Sequence, residues 1–93
     1  MNVEWLESAE ADFDAIIAWY LENFPEVTNT VAAGIWQTVS SLRSFASRGR
    51  PGLLEQTREL LVPGLPYLLV YVLRDDCVAL LRILHQHQQW PPE

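Results

Sequence analysis

The sequence predicts an α+β fold in which a helical hairpin packs on an antiparallel sheet, in the compact order β-α-α-β-β-β. Two observations support this prediction. Apolar residues recur at helical spacing through the first half of the chain. After the breaker cluster SRGRPG, at 47–52, they fall instead in three short runs separated by turn signals. With 93 residues, 49% of them hydrophobic, the chain is expected to form a single domain over 1–93.

Two helices are predicted before the breaker cluster. Ser8 is the expected N-cap of the first helix, and Pro25 ends it. The apolar face of this helix is formed by Phe13, Ile16, Ile17, Tyr20 and Phe24. A second helix is predicted over 27–46, and its apolar face is formed by Val31, Ile35, Thr38, Leu42 and Phe45. Because the connection is short, an antiparallel hairpin is the expected arrangement.

Three strands are predicted after the breaker cluster. They span 57–62, 67–73 and 77–84, and they are separated by the pair Pro63 and Gly64 and by the polar segment RDD at 74–76. Turns this short join antiparallel neighbours, so we expect a meander whose open face is covered by the helices. The segment VEW, at 3–5, is predicted to add one short strand at the sheet edge.

The charge balance argues against a general affinity for nucleic acid. The chain has 12 acidic residues, six arginines and no lysine, for a formal net charge of −6, whereas binding a phosphate backbone requires several cations. Cys77 is the single cysteine, as expected in a reducing compartment. No secretory signal and no membrane span is recognised, so a cytoplasmic location is expected.

Two arginines interrupt otherwise apolar strands. Arg58 lies in the first of the three predicted strands and Arg82 in the last, where strict alternation places it on the face of Leu80. Each arginine either pairs with a carboxylate at a sheet edge or joins the other in an anion site suited to a phosphate backbone. Together with Arg48 and Arg50 of the preceding loop, they are candidates for a basic patch on an acidic protein.

Both histidines lie at the end of the last predicted strand. His85 and His87 supply two ligands, whereas a zinc site needs three or four, so neither a metal nor a cofactor is expected. By residue type, His85 is a candidate general base. No serine or cysteine nucleophile lies at a recognisable spacing from it, which argues against a hydrolase triad. His87 is expected to be an exposed tail residue.

Two of the four tryptophans lie off the predicted apolar faces of the helices. Trp19 belongs to the first predicted helix and Trp36 to the second. Because interface hot spots are enriched in tryptophan, these two side chains are candidates for anchoring a partner protein.

Five short motifs follow one another through the second half of the chain. They are GRPG at 49–52, TREL at 57–60, VPGLPYLLVY at 62–71, VALLRILH at 78–85 and QQWP at 88–91. Together with VEWLESAEADFDAIIAWY at 3–20, they resemble the RelE/ParE superfamily of toxins from type II toxin–antitoxin systems. The resemblance implies the β-α-α-β-β-β fold and a bacterial toxin held inactive by a cognate antitoxin. That antitoxin would wrap the toxin with an amphipathic helix and an extended segment, with Trp19 and Trp36 as candidate contacts.

The resemblance implies one of two activities. RelE-like members are ribosome-dependent mRNA endonucleases, in which sheet arginines and a C-terminal base act on the scissile phosphate; Arg58, Arg82 and His85 match those positions. ParE-like members poison DNA gyrase by binding to it. This chain has no lysine and no tyrosine after Tyr71, and its acidic charge disfavours docking on ribosomal RNA. The motif series is closer to the ParE-like branch.

The predicted function is therefore that of a growth-arresting, plasmid-stabilising toxin that inhibits DNA gyrase and is neutralised by its antitoxin, rather than that of an enzyme. A homodimer or a heterotetramer with the antitoxin is the expected assembly. Two alternatives stay open: an endonuclease that acts on mRNA at the ribosome, and an inactive toxin that persists as an antitoxin-binding module. The endonuclease sets a geometric condition. For Arg82 and His85 to serve one phosphate, the last strand must bulge or end near Leu84.

Overall fold

In the computed structural model, which describes residues 1–88, 90 and 91, two helices pack on a five-stranded sheet. The elements are β1 (Asn2–Trp5), α1 (Glu7–Asn23), α2 (Thr28–Ser41), β2 (Arg50–Pro51), β3 (Thr57–Leu61), β4 (Tyr67–Arg74) and β5 (Cys77–His85). Single turns of 3-10 helix follow α1, over Pro25–Val27, and precede β2, over Ala46–Arg48. The predicted α+β fold, a helical hairpin on a sheet, is confirmed.

The order of the strands across the sheet is β1-β5-β4-β3-β2. Strands β3, β4 and β5 form the predicted antiparallel meander, and β2 pairs antiparallel with β3. In contrast, β1 lies parallel to β5, from Asn2 beside Cys77 to Trp5 beside Leu80. The sheet is therefore mixed rather than purely antiparallel. A parallel pair requires a long crossover connection, and all of the chain between β1 and β5 supplies it. The two-residue strand β2 is an addition to the predicted order.

The hydrophobic core lies between α2 and the face of the sheet that it covers. Fully buried members of this core include Ile35, Val39 and Leu42 of the helical layer and Leu69 and Tyr71 of β4. Burial of such side chains stabilises the fold by about 1.5–3 kcal/mol each. The strands β4 and β5 contribute most of the opposite wall, in agreement with their apolar, β-branched sequences.

Helix α1 is much less buried than α2. Ala9 is its one fully buried residue, and the predicted apolar residues Phe13, Ile16 and Tyr20 pack against the core while remaining half-buried. Phe24, at the end of the predicted face, is 49% exposed. The helical layer therefore keeps apolar surface in contact with solvent, because a domain this short cannot bury all of its apolar side chains.

The second helix is shorter than its apolar spacing predicts. It ends at Ser41 instead of continuing to residue 46, because the backbone tightens: Leu42 donates to Val39 and Arg43 donates to Ser40, three residues back. The prediction that Phe45 lies on the buried face is wrong. Phe45 is 66% exposed, beyond the end of the helix.

A β-bulge in β5 changes which side chains share a face. Tyr71 of β4 is paired with Leu80, but the preceding residue, Val70, is paired with Arg82, so Leu81 is the extra residue. Leu80 therefore lies on the helix-covered face with Tyr71, whereas Arg82 lies on the opposite face with Val70. The prediction that Arg82 shares the face of Leu80 is wrong, because it assumed an uninterrupted alternation.

Candidate functional site

The strongest polar contact of the described residues joins the last strand to the first helix. Arg82 donates from Nε to Oδ2 of Asp12 at 2.7 Å and from Nη2 to Oδ1 at 3.0 Å, which makes a bidentate fork. The backbone N–H of Ile83 donates to the same Oδ2 at 2.9 Å. The hydrogen bonds to Asp12 raise the pKa of Arg82 above its ordinary value. The guanidinium is therefore a permanent cation whose charge one carboxylate already matches.

Helix α1 closes the edge of the sheet at the same place. Strand β1 pairs with β5 only as far as Leu80, and the backbone groups of β5 beyond that point need other partners. The Oγ of Ser8 donates to the carbonyl of Leu81, the bulged residue, at 2.6 Å. One helical turn later, the carboxylate of Asp12 accepts the backbone N–H of Ile83. The prediction that Ser8 caps the helix is wrong, since Leu6 occupies the N-cap position and Ser8 binds the strand.

The two strand arginines lie on opposite faces of the sheet. Arg58 is paired in register with Tyr71 and Arg82 with Val70, and consecutive residues of β4 point to opposite faces. The Nη1 of Arg58 donates to the carbonyl of Gly49 at 2.7 Å, so this guanidinium supports the loop before β2. The structure does not bring Arg58 and Arg82 together around a common anion.

The loop arginines of the predicted basic patch do come together. Arg48 and Arg50 line one cavity of about 430 Å³. There, the Nη2 of Arg50 lies 3.4 Å from Oε1 of Glu59, a carboxylate that is only 5% exposed, and Arg48 donates to a serine hydroxyl of α2. Arg58 and Arg82 do not line this cavity. Because Glu59 offsets the charge of Arg50, the cavity is not a concentrated site for an anion.

His85 is exposed at the end of β5, on the face opposite Arg82. It is paired in register with Tyr67, and the two ring centroids are 5.9 Å apart. The Nδ1 of His85 accepts the backbone N–H of His87, also exposed, at 3.2 Å. The bulge at Leu81 comes before Arg82, so it leaves the opposite parity of Arg82 and His85 unchanged. Strand β5 stays paired from Arg82 through His85 and ends there, so the two side chains leave the strand on opposite faces.

Neither a cluster of metal-ligating side chains nor a membrane-spanning helix is found in the part of the chain that the structure describes. Among residues 1–88, 90 and 91, no group of three or more His, Cys, Asp or Glu side chains is placed to hold a metal ion. Within the same residues, no helix combines the length and the apolar character needed to cross a membrane.

Tyr71, which sequence patterns do not single out, organises the loop that carries the GRPG motif. Its buried hydroxyl accepts the N–H of Gly49 at 2.8 Å and donates to the carbonyl of Ala46 at 2.8 Å. A Cβ atom at Gly49 would lie 2.6 Å from that hydroxyl and 3.0 Å from the carbonyl of Glu59, so glycine is required by close approach. The only sequence signal is general: a buried tyrosine hydroxyl needs a hydrogen-bond partner.

The two candidate anchor tryptophans are each about half exposed, Trp19 at 51% and Trp36 at 50%. Trp19 lies near the end of α1, with its ring centroid 5.1 Å from that of Tyr20 and 5.7 Å from that of Phe24. Trp36 lies in α2, 4.9 Å from the ring of Trp5. The helical layer thus presents two separate aromatic clusters, and each keeps a large apolar side chain partly in water.

Comparison with known proteins places these features in a family. A family model described as the ParE toxin of the type II toxin–antitoxin system parDE matches residues 3–90. The protein "Putative toxin Y4kP" of Sinorhizobium fredii is 35% identical over 90 residues, which are 97% of this chain and 93% of the relative. A solved structure described as a chromosomal ParDE TA system from P. aeruginosa is 27% identical, with a TM-score of 0.85, and the match covers 91% of this chain and 95% of that chain.

A second solved structure, a copper-bound mutant toxin from Helicobacter pylori, is similar in fold. Its sequence identity is 21% and its TM-score is 0.61, over 89% of this chain and 91% of that chain. At this level of identity the likeness concerns the arrangement of helices and strands alone.

Proposed function

The chain belongs to the ParE toxin family of type II toxin–antitoxin systems, and from this premise we propose that it arrests growth by binding and inhibiting DNA gyrase in the cytoplasm. The observation that supports a binding mechanism best is the placement of the candidate nuclease residues. Arg82 is held by the carboxylate of Asp12 on one face of the sheet. Arg58 and His85 are paired in register with residues of the other face.

Cleavage of a phosphodiester requires a base, an acid and a cation around one phosphate. Such groups must be held within hydrogen-bond distance of the same reacting atoms, whereas the strand register places Arg82 on the face of the sheet opposite to Arg58 and His85. Inhibition by binding needs no such constellation. It requires a stable surface, and the fork of Arg82 with Asp12 stabilises the junction of α1 and β5.

The same proposal includes a cognate antitoxin that covers the helical layer. The half-exposed side chains of Trp19 and Trp36, with Phe24 at the end of α1, offer apolar surface that a partner would remove from water. Covering about half of one tryptophan stabilises a complex by about 1–2 kcal/mol before ordering costs. The related structure from P. aeruginosa is itself described as a ParDE system, which supports a partner of this kind.

The experiment is a gyrase supercoiling assay on relaxed plasmid with purified toxin, combined with cell-free translation. We expect supercoiling to be inhibited at toxin concentrations that leave translation and mRNA intact. Unchanged supercoiling at concentrations that stop growth would refute the proposal.

A matched pair of variants distinguishes the endonuclease alternative from inhibition of gyrase. His85 and His87 are both exposed and lie two residues apart, but only His85 matches a base of the endonucleases. We expect both His85→Gln and His87→Gln to keep full growth arrest. Loss of growth arrest in the His85 variant alone would favour mRNA cleavage.

A further inference from the structure

Three aromatic side chains meet where β1, α1 and α2 join, and we call them the aromatic shelf: Trp5, Phe13 and Trp36. The ring of Trp36 is 4.9 Å from Trp5 and 6.3 Å from Phe13, and Phe13 stands edge-on to Trp5 at 5.5 Å. Trp5 and Phe13 are half-buried, whereas Trp36 is 50% exposed. The shelf is thus held in place by the core and leaves an indole partly open to a ligand.

Two carboxylates border the shelf. A cavity of about 450 Å³ is lined by Trp5, Phe13 and Trp36 together with Glu10 and Asp14 of α1. Its volume lies within the range of about 300–1,000 Å³ that is usual for ligand pockets. The side chains that line this cavity are all either aromatic or acidic. This combination favours the binding of a cation.

Glu10 and Asp14 differ from the acidic residues that form salt bridges within the fold. Among residues 1–88, 90 and 91, salt bridges engage Asp12 and Glu59 but neither Glu10 nor Asp14. Both side chains belong to exposed residues, and their spacing of four residues places them one turn apart on the same side of α1. Like charges at this spacing repel each other, so a cation between them would relieve the repulsion.

We propose that the aromatic shelf binds an arginine side chain of the cognate antitoxin, with the guanidinium against Trp36 and its N–H groups donating to Glu10 and Asp14. This inference rests on the proposed antitoxin partnership and names the chemistry of one contact. A guanidinium is planar, so it stacks on an indole while its edge donates to carboxylates. The ammonium group of a lysine stacks less well on an indole, because it is compact and strongly hydrated.

The charge of the chain supports a basic segment as the occupant. The net charge is −6, and a partner that carries cations is therefore attracted to the acidic helix α1. The antitoxin is the proposed source of this cation, because the related structure from P. aeruginosa is described as a ParDE system and the half-exposed Trp36 offers aromatic surface that such a partner would remove from water. Occupation by gyrase instead is an outcome that the test distinguishes.

The first test uses a small probe, N-acetyl-arginine N-methylamide, with the citrulline analogue as its neutral, nearly isosteric control. Binding is followed by NMR from the indole N–H resonance of Trp36, assigned with a Trp36→Phe variant. We expect the arginine probe to shift this resonance with a dissociation constant on the order of millimolar, and the citrulline probe to shift it at least about 5-fold less. Equal shifts with both probes, or none with either, would overturn the inference.

The second test measures the affinity of the whole toxin for its antitoxin. The double variant Glu10→Gln/Asp14→Asn removes the two shelf carboxylates, and Glu22→Gln/Glu26→Gln removes the same charge from exposed acids elsewhere in the helical layer. We expect the shelf variant to weaken binding about 10-fold and the control about 2-fold or less. Equal losses would show that only long-range charge matters, and no loss would show that no cation binds.

Gyrase inhibition by the same proteins keeps this inference separate from the proposed function. We expect the shelf double variant to inhibit gyrase as the unaltered toxin does while binding antitoxin more weakly. Loss of gyrase inhibition with unchanged antitoxin binding would assign the shelf to the target and overturn the inference. A toxin that fails to inhibit gyrase in every form, but shows the 10-fold difference in antitoxin binding, would refute the proposed function and leave the arginine contact supported.

Discussion

Removing the carboxylate of Asp12 tests the junction between α1 and β5. The Asp12→Ala variant deletes the acceptor of two hydrogen bonds from Arg82 and of one from the backbone of Ile83. It leaves a guanidinium and an N–H group without their protein partners at the edge of the sheet. The Ser8 contact one turn earlier remains, so the helix should stay in place while its anchoring weakens.

The expected loss of stability follows from the burial of the pair. Breaking a fully buried ion pair costs about 3–5 kcal/mol, and an unsatisfied buried N–H costs about 1–3 kcal/mol. The Arg82 side chain is 29% exposed and that of Asp12 is 16% exposed, so water can rehydrate part of what the variant uncovers. We therefore expect a decrease of about 2–4 kcal/mol in the free energy of unfolding, and a Tm lower by about 10–25 °C.

Urea denaturation followed by tryptophan fluorescence and circular dichroism measures this decrease. Asp14→Ala is the matched control, because it makes the same change on the same helix at an exposed position. Both variants gain the same helix propensity, so their difference isolates the contacts of Asp12. The control should lie within about 0.5 kcal/mol of the unaltered protein. An Asp12→Ala variant no less stable than the control would refute the reasoning.

Two further predictions concern buried tyrosines. Tyr71→Phe removes the bonds to Gly49 and Ala46 and should lower the unfolding free energy by about 2–3 kcal/mol in urea; a loss under about 0.5 kcal/mol would contradict the role given to Tyr71. Burial, and then the hydrogen bond to Tyr20, raise the pKa of Tyr67 above its ordinary value of 10.0. The folded state therefore keeps the Tyr67 proton up to a higher pH than the unfolded state does. As a result, the free energy of unfolding has its full value below pH 10 and falls above it. Between pH 9 and pH 11, the free energy of unfolding should decrease by about 1.4 kcal/mol more in the unaltered protein than in the Tyr67→Phe variant. Equal decreases in the two proteins would contradict the cause given for the raised pKa of Tyr67.

Local patterns predicted the elements whose partners are near in sequence. The strands β3, β4 and β5 follow apolar runs bounded by turn residues, and their antiparallel pairing follows from the short turns between them. The face of α2 that carries Val31, Ile35 and Leu42 is buried as its periodicity indicates. The position of β1 is different, because it pairs with a strand more than 70 residues later. No local signal states which edge of the sheet it joins or in which direction.

The bulge at Leu81 shows why the site was harder to predict than the fold. Alternation fixes the face of a side chain only while the pairing continues without interruption, and one extra residue moved Arg82 from the face of Leu80 to the other. Nothing in the run CVALLRILH marks Leu81 as the extra residue. The signal lies in α1, where Ser8 and Asp12 provide a donor and an acceptor one turn apart for the edge of β5.

The acids of α1 show what the excess of negative charge does in this protein. Asp12 lies two residues from Glu10 and two from Asp14, and positions two apart on a helix point to roughly opposite sides. Asp12 is therefore turned towards β5 and is neutralised by Arg82, while its two neighbours lie together on the side of the aromatic shelf. The count of 12 acids against six arginines does not distinguish these roles. The two roles are distinguished by the partner of each carboxylate. An acidic side chain paired with a cation within the fold stabilises the fold, whereas an acidic side chain without such a cation, beside an aromatic ring, is available to a cation of a partner.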